Sequence, residues 1–290
     1  MMVYAVIIWL VCGLVTQQWW LQFGCFVLSA YLMAELNNIN VLIRIYSRLV
    51  SCSFLALSCA ACFLFPLHQT AFMQLCFIGF LVILFRGHNK EDTRVAYYAF
   101  LVLSIGSMAF VQIVYFLPLF WLLMSTNLQM LSWRTFSASL LGLLTPYWIG
   151  ACWLLWQEDF TPMIDHFLKV ADVSSLYDIT LLTSGQLVYY AVLCVLTLTG
   201  IIHYIKSHQG DKIRVRLLYG FFSWVAIFSL ILAVTLPQHY HTLISFAIVC
   251  TAPLLAHFIA LTSTKITNAA FIIIVCGLLL LTGYSLWTLL

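Results

Sequence analysis

Leu217-Leu-Tyr-Gly-Phe-Phe-Ser-Trp-Val-Ala-Ile-Phe-Ser-Leu-Ile-Leu-Ala-Val-Thr-Leu236 runs for twenty residues without a charge, directly after Lys212-Ile-Arg-Val-Arg216. A hydrocarbon core of about 30 Å asks for roughly 20 apolar residues per helix, and basic residues are retained in short loops on the cytoplasmic side. The stretch therefore reads as a membrane span entered from a cytoplasmic basic loop. The whole chain repeats this pattern: of 290 residues 64% are hydrophobic and 7% charged, against roughly a quarter charged in a soluble domain. A chain of this length cannot hide that much apolar surface in an aqueous core, so lipid is the expected solvent.

Working outward, eleven apolar runs qualify as spans, at 1–16, 20–36, 49–67, 71–85, 95–110, 114–125, 135–155, 185–203, 217–236, 242–263 and 270–290. The fifth and sixth divide a stretch that is long for one helix and short for two, broken by Gln112 and Pro118, where a tight outer turn is expected. With the N-terminus cytoplasmic, eleven of the twelve Lys and Arg residues fall in inner connections. Only Lys169 lies outside, in a connection that also holds Glu158, Asp159, Asp165, Asp172 and Asp178. Lys206, Lys212, Arg214 and Arg216 are expected at the headgroups of anionic lipid, so the net charge of +3 implies membrane lipid as partner and no nucleic acid. The first run lacks a basic n-region and a small-residue cleavage site, and reads as a retained span.

With no linker or soluble segment, the expectation is one integral-membrane domain over residues 1–290: an all-α, polytopic helix bundle. Outside the spans, the outer stretch 161–172 sets Met163, Ile164, Phe167, Leu168 and Ala171 at helical spacing after Thr161-Pro162, which predicts a short amphipathic helix on the outer surface. In the seventh span Ala138, Gly142, Pro146 and Gly150 recur every four residues, a small-residue stripe suited to close helix contact, including contact with a membrane-protein partner. The ten cysteines all fall in apolar runs and imply no disulfide framework. Cys59-x-x-Cys62 lacks the strand–helix context of a redox motif.

Leu131-Ser-Trp-Arg-Thr-Phe136 followed by Leu140-Leu-Gly-Leu-Leu-Thr-Pro-Tyr147 resembles a family of Bacteroidota membrane proteins known as a domain of unknown function. Asn37-Asn38, Phe65-Pro66, Phe85-Arg86 and the run from Ala109 to Leu123 agree in order, so the resemblance covers residues 37–156. It implies a bacterial inner-membrane protein and transfers no catalytic residue.

Candidate chemistry gathers on the predicted outer face, where His68, Glu158, Asp159, Asp165, His166, Asp172, Asp178, His239 and His241 could ligate a divalent metal or move protons. In an extended loop His239 and His241 would face the same way, with Asp165 and His166 completing a metal or catalytic cluster. No cofactor motif is visible. At membrane depth an ionisable group is a functional candidate. Glu35 is close enough to its helix end to snorkel, and His257 follows Pro253 by one turn, where it could donate to the carbonyl of Val249. Three functions fit. A non-catalytic assembly or scaffold component of the cell envelope leads, because few ionisable groups are buried. An enzyme acting on a lipid-linked substrate, glycosyltransferase- or polymerase-like with an outer-face site, is the alternative. Against it, the first outer loop reads Gln17-Gln18-Trp19-Trp20 where such enzymes usually carry an acidic pair. A transporter ranks last for want of internal repeats.

Overall fold

Ser132 sits in extended backbone and accepts from the Thr135 amide, while the Thr135 hydroxyl takes the Ser132 amide at 2.7 Å. This reciprocal cap starts a 25-residue helix, as such pairs do by satisfying first-turn donors. Asp92 similarly accepts from the Arg94 amide at 2.9 Å and opens the helix at Thr93. The computed structural model describes residues 1–45, 47–158, 160–170, 177–207, 210–261 and 265–289. The fold is 84% helical, with no strand among the described residues. In chain order the helices are α1 (Met2–Val11), α2 (Trp20–Asn40), α3 (Leu49–Ala60), α4 (His68–Leu84), α5 (Thr93–Ser107) and α6 (Leu117–Thr126). They continue with α7 (Trp133–Gln157), α8 (Thr161–Leu168), α9 (Ser184–Ser207), α10 (Ile213–Thr235), α11 (Tyr240–Leu261) and α12 (Lys265–Leu289).

Six segments are long and apolar enough to cross a bilayer: His68–Gly87, Trp133–Gln157, Ser184–Ser207, Ile213–Thr235, Pro237–Leu261 and Thr267–Thr288. The chain is thus a helical integral membrane protein. Met2–Val11, Leu49–Ala60 and Val111–Thr126 are apolar but shorter, so eleven full-length spans are not what the helix lengths give. Backbone breaks explain the short ones, whereas α2 is 21 residues long but is not among the six. The chain turns at Gly13 with φ of 99°, α3 gives way to a tight 3-10 turn at Cys62–Leu64, and α5 stops at Ser107 before another at Val111–Phe116. The predicted amphipathic helix is present as α8, with Pro162 in its first turn. Ala171 and Asp172 lie outside the described residues.

Although the sequence shows no boundary, the chain groups into two compact units, residues 1–74 with 177–290 and residues 75–176. In the first unit α11 is central. Every residue from Thr242 to His257 is buried, packed by α3, α9 and α10, as expected of a helix apolar on all sides. Its few polar groups are matched sideways: Thr251 to Thr197 at 2.8 Å, Thr242 to Thr70 at 3.3 Å, and Ser245 to the Thr242 carbonyl at 2.7 Å. At the other end of α3 from Leu49, Trp9 stacks on Phe65 with centroids 4.0 Å apart.

The second unit is built on α5 against α7. The stripe Ala138, Gly142, Pro146 is buried there, and a Cβ at Gly142 would run into the Tyr97 carbonyl and the Leu101 amide. At Gly142 the expected close contact is therefore made with α5 of the same chain, while Gly150 at the far end of the stripe is only half-buried. Ser104 donates to the Leu143 carbonyl at 2.6 Å, in the turn that Pro146 disrupts. Gly142→Ala should lower stability by about 1–3 kcal/mol through overpacking, whereas Gly277→Ala, with nothing near its Cβ, should not. Thermal unfolding of both variants in detergent, followed by circular dichroism, checks the contrast.

Candidate functional site

In the first unit, three ionisable side chains from distant parts of the sequence meet. Val41, left-handed at φ of 48°, ends α2 and turns the chain so that Arg44 reaches back. Asp211 stands just before α10, and His257 projects from α11 one turn past Pro253. Arg44 Nε lies 2.9 Å from Asp211 Oδ1, and His257 Nε2 lies 3.0 Å from Asp211 Oδ2. The Asp211 side chain is 1% exposed and that of His257 0%, while Arg44 keeps 47%. The guanidinium lies against Gly210, where a Cβ would strike its Nη1.

Around this core, Tyr219 sets its ring 4.7 Å from His257, edge to face, and donates to the Leu42 carbonyl at 3.3 Å. The ring of His203 is 5.4 Å from that of His257, and its Nε2 is 3.3 Å from the Ser207 hydroxyl. Arg214 reaches Asn40 Oδ1 at 2.8 Å. Of the four residues predicted at headgroups, Arg214 is thus turned into the protein, Lys206 and Lys212 are exposed, and Arg216 is half-buried. Glu35, in the last two turns of α2, is half-buried. The sequence reading expected His257 to bond the Val249 carbonyl. Instead Nε2 faces Asp211 and Nδ1 is buried with no hydrogen-bond partner. Asp211 was passed over because it sits among Lys206, Lys212, Arg214 and Arg216 and reads as part of a solvated loop. The available signal was one carboxylate beside Gly210 in an otherwise basic run.

The predicted outer cluster falls on both units. In the second, His166 is half-buried and its Nε2 is 3.4 Å from the Tyr147 hydroxyl, which lies 2.6 Å from the Ser107 hydroxyl. Ser107 in turn donates to the Ser104 carbonyl at 2.7 Å. Beside them is a cleft of about 180 Å³, lined by Met108, Gly150, Leu154 and Met163 as well as Tyr147 and His166. Asp165 points to solvent. In the first unit, His239 ends the 3-10 turn Pro237–His239 and His241 lies in the first turn of α11. The extended loop expected there is replaced by helix, in which residues two apart point to nearly opposite sides. His241 packs on Phe63 and Tyr240 at 5.8 Å each. Asp159 and Asp172 lie outside the described residues. Among the described residues no group of three or more His, Cys, Asp or Glu is placed to hold a metal ion.

Chemically, the Asp211 cluster can hold charge inside the protein and tie three segments together. Removing one partner of a buried pair costs about 3–5 kcal/mol, less where, as for Arg44, the partner is half exposed. The Ser107–Tyr147–His166 chain is a neutral network over an apolar cleft. Burial pushes the His166 pKa below 6.5, Lys169 acts in the same direction, and a hydrogen bond with the Ser107 backbone opposes them. No protein-family model, curated protein or solved structure matches the chain.

Asp211→Ala should destabilise far more than Asp165→Ala, by about 2 kcal/mol or more, in thermal unfolding of the purified protein. Since His166 is held neutral, its contribution to stability is complete above the unfolded pKa of 6.5 and declines as pH falls through that value to the lowered one. The thermal midpoint should therefore drop more steeply between about pH 7.5 and about pH 5 in the wild type than in His166→Gln; parallel slopes would contradict it.

Proposed function

We propose that the chain is a non-catalytic assembly component of a bacterial inner membrane, related to the Bacteroidota family that its central segment resembles. It crosses the bilayer eleven times from a cytoplasmic N-terminus, with α1, α3 and α6 as short spans in locally thinned lipid. One observation carries the reading: the central helix α11 is packed on all sides, and its buried hydroxyls at Thr242, Ser245 and Thr251 are matched to neighbouring hydroxyls or to its own backbone. A carrier needs such groups to line a path. A scaffold needs them only to fix helices against one another. The small-residue stripe being packed against α5 at Gly142, an assembly surface is sought on exposed helix faces instead, such as the one presenting Trp148, Ile149, Trp153 and Trp156 of α7. An enzyme acting on a lipid-linked substrate is the second reading, favoured by the apolar cleft beneath Tyr147 and His166.

The expected native-gel mass of the protein in mild detergent exceeds that of the 33.0 kDa chain with its micelle, and Trp148→Ala with Trp153→Ala returns it to that of the single chain. Alanine at Asp165, His166, His239 and His241 should leave the envelope phenotype of a complemented deletion strain intact. A single-chain mass together with loss of complementation by those alanines would replace the assembly reading with the enzymatic one. Reporter fusions after Lys206 should show a cytoplasmic signal; a periplasmic one refutes the orientation.

A further inference from the structure

At the end of α2 two adjoining clefts of about 320 Å³ each share Asn37 and Asn38 as their common wall. One extends to Tyr31, Arg48 and Ser51, the other to Val41, Arg44 and Ser47. Among the residues that line them none is acidic. The exposed amide of Asn38 and the exposed Arg48 flank the first cleft, and Arg44 flanks the second. The Arg44 guanidinium meets Asp211 through Nε and keeps 47% of its side chain exposed, which leaves part of it facing solvent. The first turn of α3, which carries Ser51, adds the partial positive charge of a helix start.

The clefts have fixed walls. Asn37 Nδ2 donates to the Ser47 carbonyl at 2.9 Å, the Ser47 hydroxyl accepts from the Leu49 amide at 3.1 Å, and Tyr219 donates to the Leu42 carbonyl. The rim is apolar and exposed: Tyr31, Val41 and Ile45 are 57–64% accessible, as suits acyl chains at the membrane surface. Guanidinium groups recognise phosphate through paired, charge-assisted hydrogen bonds.

We propose that these clefts form a binding site for a phosphate-bearing anion, held between Arg48 and Arg44 with Asn38 as a further donor. The anion is the headgroup of an acidic phospholipid or a free phosphate ester. The site differs from the general attraction of basic loops for acidic lipid, because it uses two arginines on preset walls and excludes the exposed Lys206 and Lys212. An anion that binds the folded chain and not the unfolded one stabilises it by mass action, so occupancy should raise the stability of the unit.

The test uses the full chain in a neutral detergent, with native mass spectrometry and thermal unfolding as paired readouts. Probes are short-chain phosphatidylglycerol, short-chain phosphatidylcholine and glycerol phosphate. Phosphatidylglycerol should give a retained adduct and a raised midpoint, and phosphatidylcholine neither. Arg48→Gln with Asn38→Ala, both exposed and neither part of the Asp211 pair, should weaken binding about tenfold, equivalent to about 1.4 kcal/mol. Lys206→Gln with Lys212→Gln should not. Retention of glycerol phosphate at similar affinity identifies the free ester as sufficient, and its absence assigns the site to lipid. Equal losses in the two double variants, or equal adducts with phosphatidylcholine, overturn the proposal. The unliganded midpoint of Arg48→Gln with Asn38→Ala establishes that the variant is folded.

Discussion

A carboxylate withdrawn from water costs several kcal/mol unless its oxygens are met by charge or donors, and in the first unit both oxygens of Asp211 are met, one by Arg44 and one by His257. That requirement fixes much else. Arg44 can arrive only because Val41 turns left-handed at the end of α2. Gly210 lets the guanidinium sit where a Cβ would otherwise displace it. His257 must sit on the buried face of α11, with Tyr219 of α10 against its ring. The segments after α2, before α10 and near the end of α11 thus share one electrostatic anchor, placed where the chain leaves its helices.

Elsewhere the same rule is met without charge. In low dielectric an unpaired polar group is penalised, and the buried hydroxyls of α11 find either a hydroxyl on a neighbouring helix or a carbonyl of their own. Tyr189 reaches the Leu57 carbonyl at 3.0 Å and Ser285 that of Ala60 at 2.8 Å, which secures the C-terminal end of α3 where its ladder stops. In the second unit Ser104 donates to the Leu143 carbonyl, one residue from the Gly142 carbonyl that Pro146 leaves without a helical donor. Polar side chains in this protein therefore sit mainly where a helix ends, bends or crosses closely.

This also explains what could be read in advance. Solvent and helix class follow from composition alone, since few charges in so many apolar residues admit one medium. Helix ends were harder to place. The runs at 1–16 and 49–67 are apolar throughout, yet their helices close at Val11 and Ala60, because a turn inside an apolar run leaves hydropathy unchanged. Apolar spacing and Pro162 did mark α8, but its N-cap is Phe160 without a side-chain cap bond, and Thr161 is its first residue. At the sites, His257 was conspicuous by depth, but its partner was not, because Asp211 is 46 residues away in sequence and only packing brings them together. His239 and His241 do not keep the alternate spacing of an extended loop, because Pro237 begins a helical turn. The stripe on α7 correctly announced close contact, but spacing cannot say which chain supplies the other helix.

The two polar centres differ in a way that bears on what each can do. The network of His166, Tyr147 and Ser107 is neutral and sits beside an apolar cleft, where Tyr147 also packs on Phe167 of α8 at 5.1 Å. The Asp211 centre is ionic and closed on its buried side, with only the Arg44 guanidinium reaching solvent. On the proposal made above, an anion held at Arg44 shares that guanidinium with Asp211, and it stabilises the unit by binding the folded chain in preference to the unfolded one.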